Sequence, residues 1–199
     1  MTNPQGNRRY VVVGRPGEGK SYWIKNFLIP QYPKGTVFVV DPLAEYDFRV
    51  ADVYRPTNRA QPQANVEEAI DTYIFKPRKI AEENKVRGRF YQLAVFEEAS
   101  RYAPSRSPLP NNLATLNDTA RHLNLDMAFC ARRFSQLHTD LSELASTTII
   151  FHQSGVNDLA RCNELIRGLD EVVVKLKKYH YVQVERGEYH EMPPIQSIK

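Results

Sequence analysis

The sequence predicts a three-layer α/β domain with a mainly parallel central sheet and helices on both faces. Three observations lead there. Apolar runs such as Tyr10–Val13, Thr36–Val40 and Phe90–Phe96 are continuous rather than alternating, the mark of strands buried on both faces. Segments with apolar residues at helical spacing alternate with those runs. A glycine-rich turn, Gly14 to Ser21, joins the first run to the first helix. With 199 residues, 42% of them apolar and 25% charged, the chain is long enough for one domain with a sizeable core.

Taken in order, Met1–Asn7 is polar and expected to fray, and Arg8–Val13 is the first strand. Ser21–Ile29 is the first helix, stopped by Pro30 and Pro33. Thr36–Val40 is a second strand whose end delivers the turn Asp41-Pro42-Leu43-Ala44-Glu45-Tyr46. Phe48–Tyr54 reads as a short strand. Val66, Ala69, Ile70, Tyr73 and Ile74 mark a helix that Pro77 ends or kinks. Phe90–Phe96 is a third strand, followed by Glu97-Glu98 and a proline-rich loop, Arg101–Pro110. Asn111 or Asn112 can cap a helix bearing Leu113, Leu116, Ala120 and Leu123. Leu125–Ala131 and Thr147–Phe151 are further strands, with a helix at Asp140–Ala145 between them. Val156–Arg167 is a helix stopped by Gly168, and Leu169–Leu176 is another. Tyr179–Glu185 and Tyr189–Met192 form a hairpin about Arg186-Gly187-Glu188, and Pro193–Lys199 is an exposed tail.

Gly14-Arg15-Pro16-Gly17-Glu18-Gly19-Lys20-Ser21-Tyr22 carries the most specific chemistry. It matches G-x-x-x-x-G-K-[ST] between a strand and a helix, the context in which that pattern cradles phosphates. Glycines let backbone N–H groups turn inward, and the helix start adds unpaired donors. Lys20 reaches the β- and γ-phosphates of a nucleotide and Ser21 ligates Mg²⁺. On the same strand edge Glu97 and Glu98 supply adjacent carboxylates that point in different directions. Glu97 is assigned to the Mg²⁺ shell, through water, and Glu98 to the base that polarises the attacking water. The alternative is an acidic pair solvated at a strand end.

These motifs resemble the FtsK–HerA superfamily of ring-forming, DNA-translocating P-loop ATPases, which have a RecA-like fold. Within it the chain is most similar to the small genome-packaging ATPases of viruses with internal membranes and double-jelly-roll capsids. The resemblance runs from Tyr10 to about Val184 and rests on four places: the phosphate loop, the Asp41-Pro42-x-x-Glu45-Tyr46 turn, the Glu97-Glu98 pair, and the block from Arg121 to Ser135. It implies ATP and Mg²⁺ as cofactors, with Asp41 and Glu45 at the nucleotide. It also implies a homo-oligomeric ring of five or six subunits, double-stranded DNA as substrate, and capsid vertex proteins as partners. The setting implied is the cytoplasm of an infected cell, or the packaging vertex of a virion. The family pattern has Asp-Glu where this chain has Glu97-Glu98, and the longer first acid still reaches a metal-bound water. Arg132 stands where the family has a sensor glutamine and Phe134 where it has proline. Position 132 is thereby open to positioning water, sensing the γ-phosphate or contacting DNA.

Arg121 reads equally as a solvated helix-end arginine and as a finger. The resemblance implies the latter, reaching the neighbouring subunit's ATP, with Arg133 the second choice. Candidates for DNA contact are Arg101, Tyr102 and Arg106 in the proline-braced loop, and Lys85, Arg87 and Arg89 in the most basic window. Tyr102 is a candidate for stacking. Lys175, Lys177 and Lys178 are a further possible contact. The net charge of +4 permits a polyanionic partner without requiring one. Cys130 and Cys162 lack metal or redox spacing, and the five histidines are scattered, so no zinc is expected. No stretch reaches membrane-spanning length and no signal sequence opens the chain, which points to a cytoplasm. Other readings are a related pump for filamentous-phage assembly or conjugation, a small kinase using Arg78–Arg89 as a lid, and a non-hydrolysing capsid subunit. A GTPase is disfavoured because Asn84-Lys85 lacks the following aspartate of the guanine reader.

Overall fold

A computed structural model describes residues 7–58 and 60–195. Its sheet has eight strands: β1 Arg9–Val13, β2 Val37–Val40, β3 Asp52–Tyr54, β4 Leu93–Phe96, β5 Asp126–Ala131, β6 Thr147–Phe151, β7 Tyr181–Glu185 and β8 Glu188–Met192. They lie in the order β3-β2-β4-β5-β1-β6-β7-β8. All neighbours are parallel except the β6–β7 and β7–β8 pairs, the latter being the expected hairpin. Arg186 and Gly187 turn that hairpin with φ of 52° and 80°, the left-handed pair such a tight turn demands.

Successive residues of each parallel strand serve opposite faces, as pleating requires. Val11, Val13, Phe38, Val40, Phe96 and Phe129 pack beneath α2 (Pro62–Ile70), α4 (Asn111–Thr119), α6 (Val156–Leu165) and α7 (Leu169–Val173). Tyr10, Val12, Val37, Val39 and Val95 pack against the helix that opens with α1 (Lys20–Trp23) and against Tyr46. Helices therefore cover both faces, as expected for three layers.

Four elements depart from expectation. The helix from Pro62 does not stop at Pro77. A π turn at Asp71–Phe75 leads straight into α3 (Lys76–Glu83). Lys76 N donates to Asp71 O, five residues back. Pro77 then falls at the start of a fresh helical stretch, where its missing N–H costs nothing. The first helix likewise passes through a π turn, Ile24–Leu28, and carries Pro30 in a 3₁₀ turn, Ile29–Gln31. Neither Asn111 nor Asn112 caps α4. Pro110 holds that place, and Glu67 Oε2 on α2 accepts from Asn112 N at 2.9 Å. The expected strand at Phe48–Tyr54 shrinks to its last three residues, with Phe48 62% exposed.

The tail assignment is also corrected in part. Residues 1–6 and 196–199 lie outside the described residues. Pro193 and Pro194 are exposed, but Ile195 is buried, and its N–H donates to Tyr179 O at 3.0 Å.

Candidate functional site

The phosphate loop leaves the carboxyl end of β1. A Cβ on Gly14 would lie 2.6 Å from Phe151 Cβ, so only glycine lets the chain pass there. Gly17 and Gly19 have φ of 80° and 108°, left-handed values that let the backbone curl around an anion. Gly19 faces Ile195 and Tyr179, whose side chains sit 3.0 and 3.5 Å from where its Cβ would be. The C-terminal segment thus supports the loop, and no local pattern around Ile195 signals that role.

Arg15 is exposed and its guanidinium donates to Ser154 at 3.4 Å. Glu18 N–H closes the loop onto Arg15 O at 3.3 Å, while its own Oε2 is buried with no partner among the described residues. Lys20 is only 8% exposed, and its Nζ donates to Arg15 O at 3.2 Å. Pro16, Gly17, Lys20, Ser21 and Tyr22 border a cleft of about 270 Å³ that Glu45, Glu97, Glu98 and Arg132 complete.

The strand order explains this convergence. β5 lies between β1 and β4, so the residues after β5 emerge between the phosphate loop and the acids after β4. Arg132 Nε meets Glu98 Oε1 at 2.8 Å. Glu98 is 8% exposed and has a left-handed φ of 54°, a conformation that costs a non-glycine residue energy and clusters at functional sites.

Glu97 is turned inward. The Tyr46 hydroxyl donates to its Oε1 at 2.5 Å, and the Cys130 thiol also bonds to it. Burial pushes the Glu97 carboxyl above the usual range, and those two hydrogen bonds oppose the shift. Burial likewise raises the Cys130 thiol, so Cys130 is a neutral donor here rather than a reactive thiolate.

Asp41 does not border this cleft, contrary to the expectation that placed it at the nucleotide. It is 1% exposed, and its two oxygens accept from Glu45 N at 3.0 Å and Tyr46 N at 2.9 Å. It folds the turn that presents Glu45 to the cleft and Tyr46 to Glu97. Both Ser21 and Glu97 border the cleft, and among the described residues no group of three or more His, Cys, Asp or Glu could hold a metal ion. That donor set fits Mg²⁺, which takes one or two protein ligands and fills its shell from phosphates and water.

The remaining arginines separate. Arg133 is committed within its own chain: its Nε lies 3.0 Å from Asp158 Oδ2, while Asp158 Oδ1 accepts from Ser135 N and Oγ. This pairing with a 1%-exposed carboxylate argues against Arg133 as a free finger. Arg121 is exposed in the turn after α4, with its Nε 3.3 Å from His122 Nε2. That turn precedes β5, whereas the phosphate loop follows β1, its parallel neighbour. The two therefore sit at opposite edges of the sheet, roughly 15 Å or more apart, and Arg121 cannot serve its own chain's loop.

The DNA-contact candidates divide the same way. Lys85, Arg87 and Arg89 precede β4 at the edge away from the phosphate loop, and Arg89 donates to Lys34 O at 2.5 Å. Arg78 is tied to Ile74 O at 2.9 Å and Tyr91 O at 3.2 Å, so its guanidinium is not free to serve as a lid arginine. Tyr102 is corrected outright. It is 3% exposed, packs against Phe96 and donates to Glu97 O at 3.2 Å, so it cannot stack on a base. Arg101 and Arg106 remain exposed on the phosphate-loop side. Lys177 and Lys178 are exposed in the turn before β7, Lys178 over the Tyr179 ring at 4.9 Å. No helix among the described residues is long and apolar enough to cross a membrane.

No family model matches the chain, and no curated protein does. Solved structures do. The DNA-packaging ATPase B204 from Sulfolobus turreted icosahedral virus has a TM-score of 0.76 at 19% identity, covering 98% of this chain and 100% of its own. The genome-packaging NTPase B204 of Sulfolobus turreted icosahedral virus 2, in complex with AMPPCP, gives 0.72 at 20% identity over 95% and 98% of the two chains. VirB4 of Thermoanaerobacter pseudethanolicus gives 0.70 at 11% identity over 96% and 90%. At these identities the likeness is one of fold. The chain therefore shares its fold with the viral packaging ATPases it resembles in sequence motifs.

Proposed function

We propose that this chain is a Mg²⁺-dependent ATPase that drives double-stranded DNA into a preformed viral capsid, working as a ring of identical subunits. One observation carries the ATPase reading: Lys20, Ser21, Glu97, Glu98 and Arg132 border one cleft, with Arg132 paired to Glu98 at 2.8 Å. In this reading the loop amides and Lys20 bind the β- and γ-phosphates, and Ser21 and Glu97 hold the metal, Glu97 through water. Glu98 takes the proton of the attacking water, and Arg132 orients Glu98. The metal supplies charge neutralisation on the phosphates.

DNA as substrate and a capsid as destination are supported by the fold shared with proteins described as DNA-packaging and genome-packaging enzymes. Capsid vertex proteins are the partners this reading requires, and the infected cell's cytoplasm is its setting. The edge position of Arg121 supports a finger acting in trans, which makes each site depend on its neighbour.

The test is phosphate release by purified protein with Mg²⁺ or with EDTA, with and without duplex DNA, alongside native mass spectrometry in ATP analogue. Hydrolysis only with Mg²⁺, stimulated by duplex DNA, from a closed ring, is expected. A monomer that transfers phosphate to a small acceptor and ignores DNA would replace this reading with a kinase.

A further inference from the structure

Beside the nucleotide cleft lies a larger open groove of about 960 Å³. Its wall holds four arginines, Arg101, Arg106, Arg132 and Arg133, against one carboxylate, Glu98. That carboxylate is already paired with Arg132. Among the described residues the side chains of Arg101 and Arg106 have no hydrogen-bond or ion-pair partner, and both residues are exposed. The frame beneath them is fixed: Ser105 N donates to Gln136 O at 3.0 Å, His138 N donates to Ala103 O at 3.0 Å, and Pro104 bridges to Leu137. Asp158 pins Arg133 at 3.0 Å. The groove is thus a preformed, donor-rich surface, suited to a ligand with several anionic oxygens.

We propose that this groove binds the sugar–phosphate backbone of duplex DNA, with Arg101 and Arg106 as its principal contacts. The proposal rests on the DNA-translocase reading above and locates its substrate. What distinguishes duplex from single strand is that, among the described residues, no aromatic side chain lines the wall. Single-strand sites stack bases on exposed aromatics, and the aromatic of this loop, Tyr102, is buried beneath it. A duplex hides its bases and offers phosphates, which arginines hold without reading sequence. Arg132 borders both the groove and the nucleotide cleft, so a phosphate drawn to it would also act on the carboxylate it holds.

Duplex binding is measured by fluorescence anisotropy across a salt series, with Mg²⁺ and a non-hydrolysable ATP analogue present to maintain the assembly. Wild type is compared with Arg101→Ala/Arg106→Ala and with Lys85→Ala/Arg87→Ala/Arg89→Ala, each checked for assembly by native mass spectrometry. Every DNA phosphate left without its arginine lowers the slope of log affinity against log salt by about 0.9. The groove variant, short of two arginines in every subunit, is expected to show a slope shallower by about 1.8 for each subunit that contacts the duplex, and to bind a duplex several-fold more weakly. An intact slope in the groove variant, or the shallower slope appearing in the Lys85–Arg89 variant instead, overturns the proposal. So does tighter binding of a single strand than of a duplex by wild type. Broken assembly in the groove variant would show that the groove receives a neighbouring subunit, and overturns it too. Wild type that binds no duplex at any salt would sink the DNA reading itself, a result separate from a groove variant that binds normally.

Discussion

Glu98→Gln separates the chemistry of this site from its architecture. The amide is nearly isosteric, and its oxygen can still accept from Arg132 Nε, which lies 2.8 Å from the carboxylate. Only the negative charge and the capacity to take a proton are lost. The Arg132 side chain is 47% exposed and that of Glu98 10%, so solvent screening limits the cost of losing the ion pair to about 1 kcal/mol or less. A general base contributes about 10²–10⁴ in rate, equivalent to about 3–5 kcal/mol of barrier at about 1.36 kcal/mol per tenfold. The substitution should therefore lower single-turnover hydrolysis by at least about a hundredfold, while the melting temperature falls by only about 2–4 °C. Rapid-quench phosphate release reports the first quantity, scanning calorimetry the second, and titration with an ATP analogue checks that nucleotide still binds. Turnover within about fivefold of wild type would refute Glu98 as the base, since a general base is worth at least about a hundredfold. A matching collapse in melting temperature would show that its role is structural.

Other expectations follow from neighbouring contacts. Tyr46→Phe removes a hydrogen bond that favours the charged form of Glu97, in a site where burial already raises its pKa. Glu97 should then protonate at higher pH, so the acid limb of the pH–rate profile moves upward and more Mg²⁺ is needed for half-maximal rate. A superimposable profile would refute this role for the Tyr46 hydroxyl. Gly14→Ala places a methyl group 2.6 Å from Phe151 Cβ, an overpacking cost of about 1–3 kcal/mol that calorimetry should read as a lower melting temperature. Arg121→Ala subunits titrated into wild type should depress ring turnover more than in proportion to their share. Strictly proportional loss would place Arg121 outside any shared site.

The sequence made the phosphate loop, the acidic pair and most of the sheet legible, because each depends on local pattern: glycine positions, a lysine–serine pair, runs of β-branched residues. What it concealed depends on contacts between distant segments. Pro77 signals a helix end by its own chemistry, and the π turn before it, where Ile70 and Ile74 are buried in the core, lets the helix continue. Tyr102 sits between charged residues in sequence, yet its ring fills the space beside Phe96. Arg132 and Arg133 are adjacent in sequence and take opposite commitments, one to Glu98 and one to Asp158, because alternation at a strand end sends them to different neighbours. Asp158 and Ile195 carried no motif, and both prove to support the site.

The departure from Asp-Glu to Glu97-Glu98 acquires a physical account in these contacts. A glutamate at 97 carries one methylene more than aspartate, about 1.5 Å of extra reach. That reach brings its carboxylate to the Tyr46 hydroxyl and the Cys130 thiol while it still borders the cleft. A longer acid is also a looser one, with an extra rotatable bond to order. Two donors on a buried carboxylate restrain that freedom and offset part of the cost of keeping it charged. Tyr46 can act there only because Asp41 folds its turn, accepting from the Tyr46 amide at 2.9 Å. Asp41, Tyr46 and Glu97 thus form one unit in which a residue away from the cleft fixes the direction of the acid proposed to hold the metal. Its substitution would be felt in Mg²⁺ dependence before it is felt in nucleotide affinity.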